Sequence, residues 1–275
     1  MPHLVTLLTH TGLYAGFELR RLWQTRSGLM TLAATLVIWG LLFRYAIVPA
    51  ADLIASRGFT DFISGLFGNN GISQLRSWPA PELAVYWFFS LWLLPLLSLF
   101  FTANQLCPDI ERGTVRFLTL RSSRSSLVLG RFAGQLVVQG CLILLTLLAT
   151  LTLASWRAGG ITPAMVSAAL VILLNLLLVV APFTAIMAVF SALVRSAKLA
   201  VSLAIVSLGL GFALLSWFVF YFPDFLFLFS YIPGAQVIQL LPLHGWQTFK
   251  FATLPLWQTA LLLSLACLLV KRKAL

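Results

Sequence analysis

Long apolar runs separated by short polar connections set the rhythm of the chain. They fall at about Ser27 to Val48, Glu82 to Asn104, Gly130 to Trp156, Pro163 to Leu193, Leu199 to Phe222 and Pro255 to Val270. A helix needs about 20 residues to cross a hydrocarbon core of roughly 30 Å, and these runs match that length. Alternating ten-residue segments of the barrel type do not recur. The pattern predicts an all-α polytopic membrane protein of about six transmembrane helices, with residues 1–275 as a single transmembrane domain. Pro95 lies inside the second run, where a membrane helix accepts it as a kink once neighbouring groups satisfy the freed carbonyl.

The segments between the runs differ in kind. Residues 1–26 place Leu13, Phe17, Leu19, Leu22 and Trp23 at helical spacing, with Arg20, Arg21 and Arg26 toward the end, which predicts an amphipathic helix along the interface. A cleavable leader ending near Val48-Pro49-Ala50 would need about 50 residues, far longer than such leaders run, so an uncleaved first span is expected. Residues 49–81 are too broken to span and too apolar for a free linker, so a short helix on the bilayer surface is expected there. The connections RAGGI and VRSAK predict tight helical hairpins. Residues 223–254 are hydrophobic but interrupted by Pro223, Pro233, Gly234, Pro242 and Gly245, the pattern of broken or re-entrant helices before the last span.

Composition agrees: 60% of residues are hydrophobic, 9% are charged, and mean hydropathy is +0.99. The net charge of +11 takes its meaning from topology. With both termini in the cytoplasm, the inner segments hold Arg20, Arg21, Arg26, Arg112, Arg116, Arg121, Arg124, Arg131, Arg195, Lys198, Lys271, Arg272 and Lys273. That is 13 of the 18 basic residues, and the outside keeps Arg44, Arg57, Arg76, Arg157 and Lys250. The positive-inside rule accounts for this split, so the basic balance needs no nucleic acid as partner. Arg44 is the one basic residue inside a span, about a turn from its outer end, where a snorkelling side chain is expected.

Several chemistries are missing. No span carries an acidic residue near its centre, as a transporter driven by an ion gradient ordinarily would. His3, His10 and His244 do not pair on spanning helices, which weighs against bis-histidine haem, and no metal set, no nucleophile with its base and no Walker A pattern occurs. No cofactor is expected in this chain. Cys107, Cys141 and Cys267 lack CxxC spacing and read as small apolar residues. Any energy for uphill movement must come from another polypeptide.

Residues 105–129, between the second and third runs, hold the most ordered polar pattern, within CPDIERGTVRFLTLRSSRSSLVLGRF. Pro108 suits the first turn of a helix, Asp109 and Glu111 follow it, and Gly113 interrupts. Val115, Phe117, Leu118 and Leu120 then offer apolar contacts, and Arg116, Arg121, Arg124 and Arg131 a cationic side. A solvated loop gripping anionic lipid would explain the arginines alone. The acidic start and Gly113-Thr114 are order that topology does not need.

These residues resemble the permease subunits of type 2 ATP-binding-cassette exporters. That family carries, between its second and third spans, an acidic residue, Gly-Thr, leucines, an arginine and a Gly-Lys entering the next helix. Glu111-Arg112-Gly113-Thr114, Leu118, Leu120, Arg121 or Arg124, and Gly130-Arg131 look like that pattern. Arg131 stands where the family has lysine, and LRSSRSS lacks the proline often found before the arginine. The resemblance implies a coupling helix for a separate ATP-binding subunit, with Asp109, Glu111, Arg112, Gly113, Thr114, Arg121 and Arg124 as coupling residues and Glu18, Arg20 and Arg21 on the N-terminal interfacial helix. It implies two ATPase copies carrying ATP and Mg, a permease homodimer or pseudo-symmetric heterodimer, contact with membrane lipids, and a bacterial inner membrane as location. Small residues Ala204, Ser207 and Gly211 on the fifth span are candidates for the dimer seam or for packing within one subunit. The alternative is a membrane-embedded anchoring protein that recruits a cytoplasmic partner without transport.

Overall fold

The computed structural model describes residues 12–13, 15–22, 24–55, 78–114, 123–241, 243 and 245–272. Helix α1 covers residues 15–22, and α2 (Arg26–Leu42) follows after a tight reversal. Thr25 makes that reversal: its hydroxyl accepts the Gly28 amide at 3.1 Å and donates to the Arg21 carbonyl at 2.8 Å. A Cβ on Gly28 would meet the Leu22 backbone, so only glycine allows α1 to fold back this closely.

The first span does not stop at Val48. A π-helical turn, Phe43–Ile47, passes directly into α3 (Val48–Ala55), and the apolar stretch runs Gly28–Leu53. The expected surface helix over 49–81 is therefore corrected at its start, because the π-helical turn, in which the Val48 amide bonds the Phe43 carbonyl, carries the helix past Pro49. Residues 56–77 lie outside the described residues. Arg44 moves deeper than expected, nine residues before Leu53 or roughly 14 Å along the helix, and it is exposed.

The other candidate spans are α4 (Pro81–Phe101), α6 (Arg124–Ala158), α7 (Pro163–Leu193), α8 (Ala197–Tyr221) and α10 (Thr253–Arg272), making six. The short α5 (Cys107–Glu111) lies between α4 and α6. The broken region resolves into a 3₁₀ segment Pro223–Tyr231, α9 (Gln236–Leu240) and a second 3₁₀ segment Gly245–Phe251. These elements and the absence of strands among the described residues establish an all-α polytopic membrane protein.

Helix α7 is the axis of the bundle, with α4, α6, α8 and α10 all packed on it. In lipid, apolar surface gives helices little reason to associate, so packing and interhelical hydrogen bonds take that role. One polar node joins three spans: the Thr184 hydroxyl on α7 meets Ser98 of α4 at 3.1 Å and accepts from the Gln139 amide of α6 at 3.0 Å. Tyr86 of α4 bonds Thr146 of α6 at 2.9 Å, and the Trp87 indole donates to the Leu240 carbonyl of α9 at 3.3 Å. Asn175 of α7 donates to Thr248 at 2.8 Å, fixing the second 3₁₀ segment to the axis. No disulfide joins the three cysteines: Cys107 is buried with its thiol on the Ser191 carbonyl at 3.6 Å, Cys267 is half-buried and Cys141 exposed.

Candidate coupling site

Helix α5 begins after Leu106 with Pro108 in its first turn, as the pattern predicted, and Asp109 is in that turn. It ends at Glu111, which corrects the expectation of two acids near its start. Glu111 is the last helical residue and is exposed. Arg112 caps the helix, and Gly113 takes φ +68°, a left-handed turn that a Cβ would strain. The Thr114 hydroxyl folds back to the Asp109 carbonyl at 3.2 Å and to Asp109 Oδ1 at 3.3 Å. Gly-Thr after the acidic start thus closes the helix and holds the Asp109 carboxylate in place.

Helix α6 begins at Arg124, six residues before the predicted third span. Ser123 caps it by accepting the Ser126 amide at 3.0 Å. Arg124 was expected on a cationic loop, but its Nη1 donates to the Lys271 carbonyl at 2.9 Å and the Val270 carbonyl at 3.3 Å. It closes the C-terminal end of α10 and brings that end beside the start of α6. Arg121, Arg116, Val115, Phe117, Leu118 and Leu120 lie outside the described residues.

Two turns into α6, the buried Arg131 joins three elements. Its Nη1 donates to Glu18 Oε1 of α1, and its Nη2 to Asp109 Oδ2 of α5 at 2.6 Å. Gln135, one turn further along, donates to the other Glu18 oxygen at 3.0 Å, and Arg21 pairs with Glu18 at 3.5 Å. The Phe17 ring covers the guanidinium at 5.5 Å. Glu18 is 3% and Arg131 5% exposed, so these charges are desolvated and each depends on the other for compensation. Burial raises the Asp109 carboxyl above its ordinary value, against the opposing effects of Arg21, the Thr114 hydroxyl and Arg112.

The close approach of α1 rests on Gly134. A Cβ there would sit 2.8 Å from Glu18 Cγ and 3.2 Å from Ala15 Cα, so the small residue provides the seat for α1. The face of α1 that turns inward carries Glu18 and Leu22, while Phe17 is exposed apart from the ring face it lays over Arg131, and Leu13 is exposed. Arg20 is exposed. Asp109 and Glu18 from the predicted set therefore meet at Arg131, with Arg21 and Thr114 supporting them. Glu111, Arg112 and Gly113 form the exposed edge.

At the opposite end of α6, Arg157 repeats the arrangement. Its Nη2 donates to Asp52 of α3 and its Nη1 to Glu82 of α4 at 3.1 Å. One continuous helix of 35 residues thus carries an arginine between two carboxylates at each end.

The described residues form a bundle of six candidate spans with a compact three-element junction at one end. The sequence matches the family of ABC-2 family transporter proteins over residues 25–270, and the chain belongs to that family. It is a multi-pass membrane permease component of an ABC transporter, a transport subunit and not itself the catalytic ATPase, and its family works with an ABC ATP-binding subunit. Helix α1 precedes the matched residues. No curated relative matches the sequence.

Proposed function

We propose that this permease is the membrane half of an ATP-driven exporter, and that a separate ATP-binding subunit docks on the edge formed by Glu111, Arg112, Gly113 and Thr114. ATP and Mg belong to that subunit, two copies of which serve a permease dimer formed from two copies or from a pseudo-symmetric pair. The observation that carries this reading is Arg131: it holds α5 and α1 on the end of α6, so a push on the exposed edge reaches a spanning helix through a desolvated ion cluster. Closing of the ATPase pair then rocks α6 as a rigid body.

Basic residues support the orientation. Arg20, Arg21, Arg112, Arg124, Arg195, Lys198, Lys271 and Arg272 belong to the segments at the coupling end of the spans. That is the cytoplasmic end of a bacterial inner-membrane protein with both termini inside, acting as one transmembrane domain without nucleic acid. Spans one and five support the dimer: 17% and 11% of their apolar windows are buried, against 67% for the second span. Gly211 and Ser207 are on the exposed face of α8, and Ala204 is fully buried within the subunit.

Co-expression with the ATP-binding subunit tests the docking edge. Glu111→Lys inserts normally and fails to retain that subunit through purification. Undiminished retention and stimulation by the reversed-charge protein would refute the docking assignment.

A further inference from the structure

The end of the bundle opposite the coupling site holds two adjoining cavities beside the first half of α10. The larger, about 540 Å³, is apolar and runs from Thr253 and Leu254 past Trp257 to Leu261 and Leu262, with Tyr231 and Pro233 as its other wall. Thr253 to Leu262 is a rise of roughly 14 Å, about half the hydrocarbon core and so the depth of one leaflet. The smaller, about 260 Å³, shares Tyr231, Thr253 and Leu254 with it and adds Lys250, Gln236, Gln239 and Ser230.

The polar lining is only partly satisfied. Gln236 is 1% exposed, and neither its Oε1 nor its Nε2 has a hydrogen-bond partner among the described residues. Gln258 in the larger cavity donates to the Tyr231 carbonyl at 2.8 Å and leaves its buried Oε1 unpartnered. A buried amide without partners is costly, a reason to look for a ligand that meets it. Lys250 makes no ion pair among the described residues.

We infer that this pair of cavities is a binding site for a resident anionic phospholipid of the leaflet at that end, its phosphate on Lys250 and Gln236 and an acyl chain in the groove along α10. Lipid tails are as apolar as the groove, so the groove supplies shape, and selectivity comes from the head. The lipid would wedge the Pro223–Tyr231 segment against the last span.

The purified full-length permease, equilibrated with phosphatidylglycerol and phosphatidylcholine in equal amounts, is read by native mass spectrometry for retained lipid. Phosphatidylglycerol is retained in preference, Lys250→Gln lowers its retention about fivefold, as expected for one lysine near an anionic surface, and Arg195→Gln at the other end leaves retention unchanged. Leu261→Trp, which fills the groove and keeps the lysine, lowers retention of both lipids. Equal retention of the two lipids, or unchanged retention in both Lys250→Gln and Leu261→Trp, overturns the site. Loss of the bound lipid when the ATP-binding subunit is supplied with Mg-ATP overturns residence and identifies cargo in transit.

Discussion

Arg131 is the residue on which the coupling end depends. Replacing it by methionine leaves Glu18 desolvated beside Gln135 and Arg21 alone, and breaking a buried pair from one side costs about 3–5 kcal/mol. Arg131→Met therefore frees α1 from the bundle, seen as rapid proteolysis at residues 15–22 in membranes while the spans stay protected. Arg131→Lys keeps charge but cannot reach two carboxylates as a planar fork, so it shows partial protection. Gly134→Leu gives the same loss of α1 protection with every charge retained, because the side chain occupies the place of Glu18 Cγ. The sequence made Glu18, Asp109 and Arg131 visible as charges near span ends. It could not pair them, since Glu18 and Arg131 are 113 positions apart and no periodicity reports which residues of α1 meet α6.

At the scale of elements, span count and order were readable because each helix had to be long and apolar enough for the bilayer. Boundaries were less so. Arg124 looked like a loop cation because its partners are carbonyls of α10, and no pattern in residues 105–129 reports a bond to Lys271. Pro49 looked like the end of a span, yet a π-helical turn carries the helix past it. Within the membrane, Gln139 of α6 donates to the Thr184 hydroxyl, which also meets Ser98 of α4. Gln139→Leu costs about 0.6 kcal/mol, the average for such bonds between spanning helices. Unfolding in mixed micelles measures this, and a loss beyond about 2 kcal/mol would mean that Gln139 does more than hold this node.

For the whole molecule, α6 links the two ends: Arg131 and Arg157 are 26 residues apart, roughly 39 Å along the helix. The cluster at the end opposite α5 joins α6 to α3 and α4, and in the proposed coupling it is the route by which motion imposed at α5 would reach spans one and two. The proposed dimer places a second copy against the exposed faces of spans one and five. In a protein lacking the native cysteines, Gly211→Cys forms an oxidised dimer in membranes, whereas Ala204→Cys, buried within the subunit, does not. The reverse outcome would move the seam elsewhere.

The most direct measurement is stimulation of the partner's ATP hydrolysis by the permease in a double-mutant cycle of Glu18→Gln and Asp109→Asn. If Arg131 makes α1 and α5 one unit, the two losses are strongly non-additive, with an interaction energy of about 0.5–3 kcal/mol. Strictly additive losses would show that the two helices act independently and that the shared arginine does not couple them.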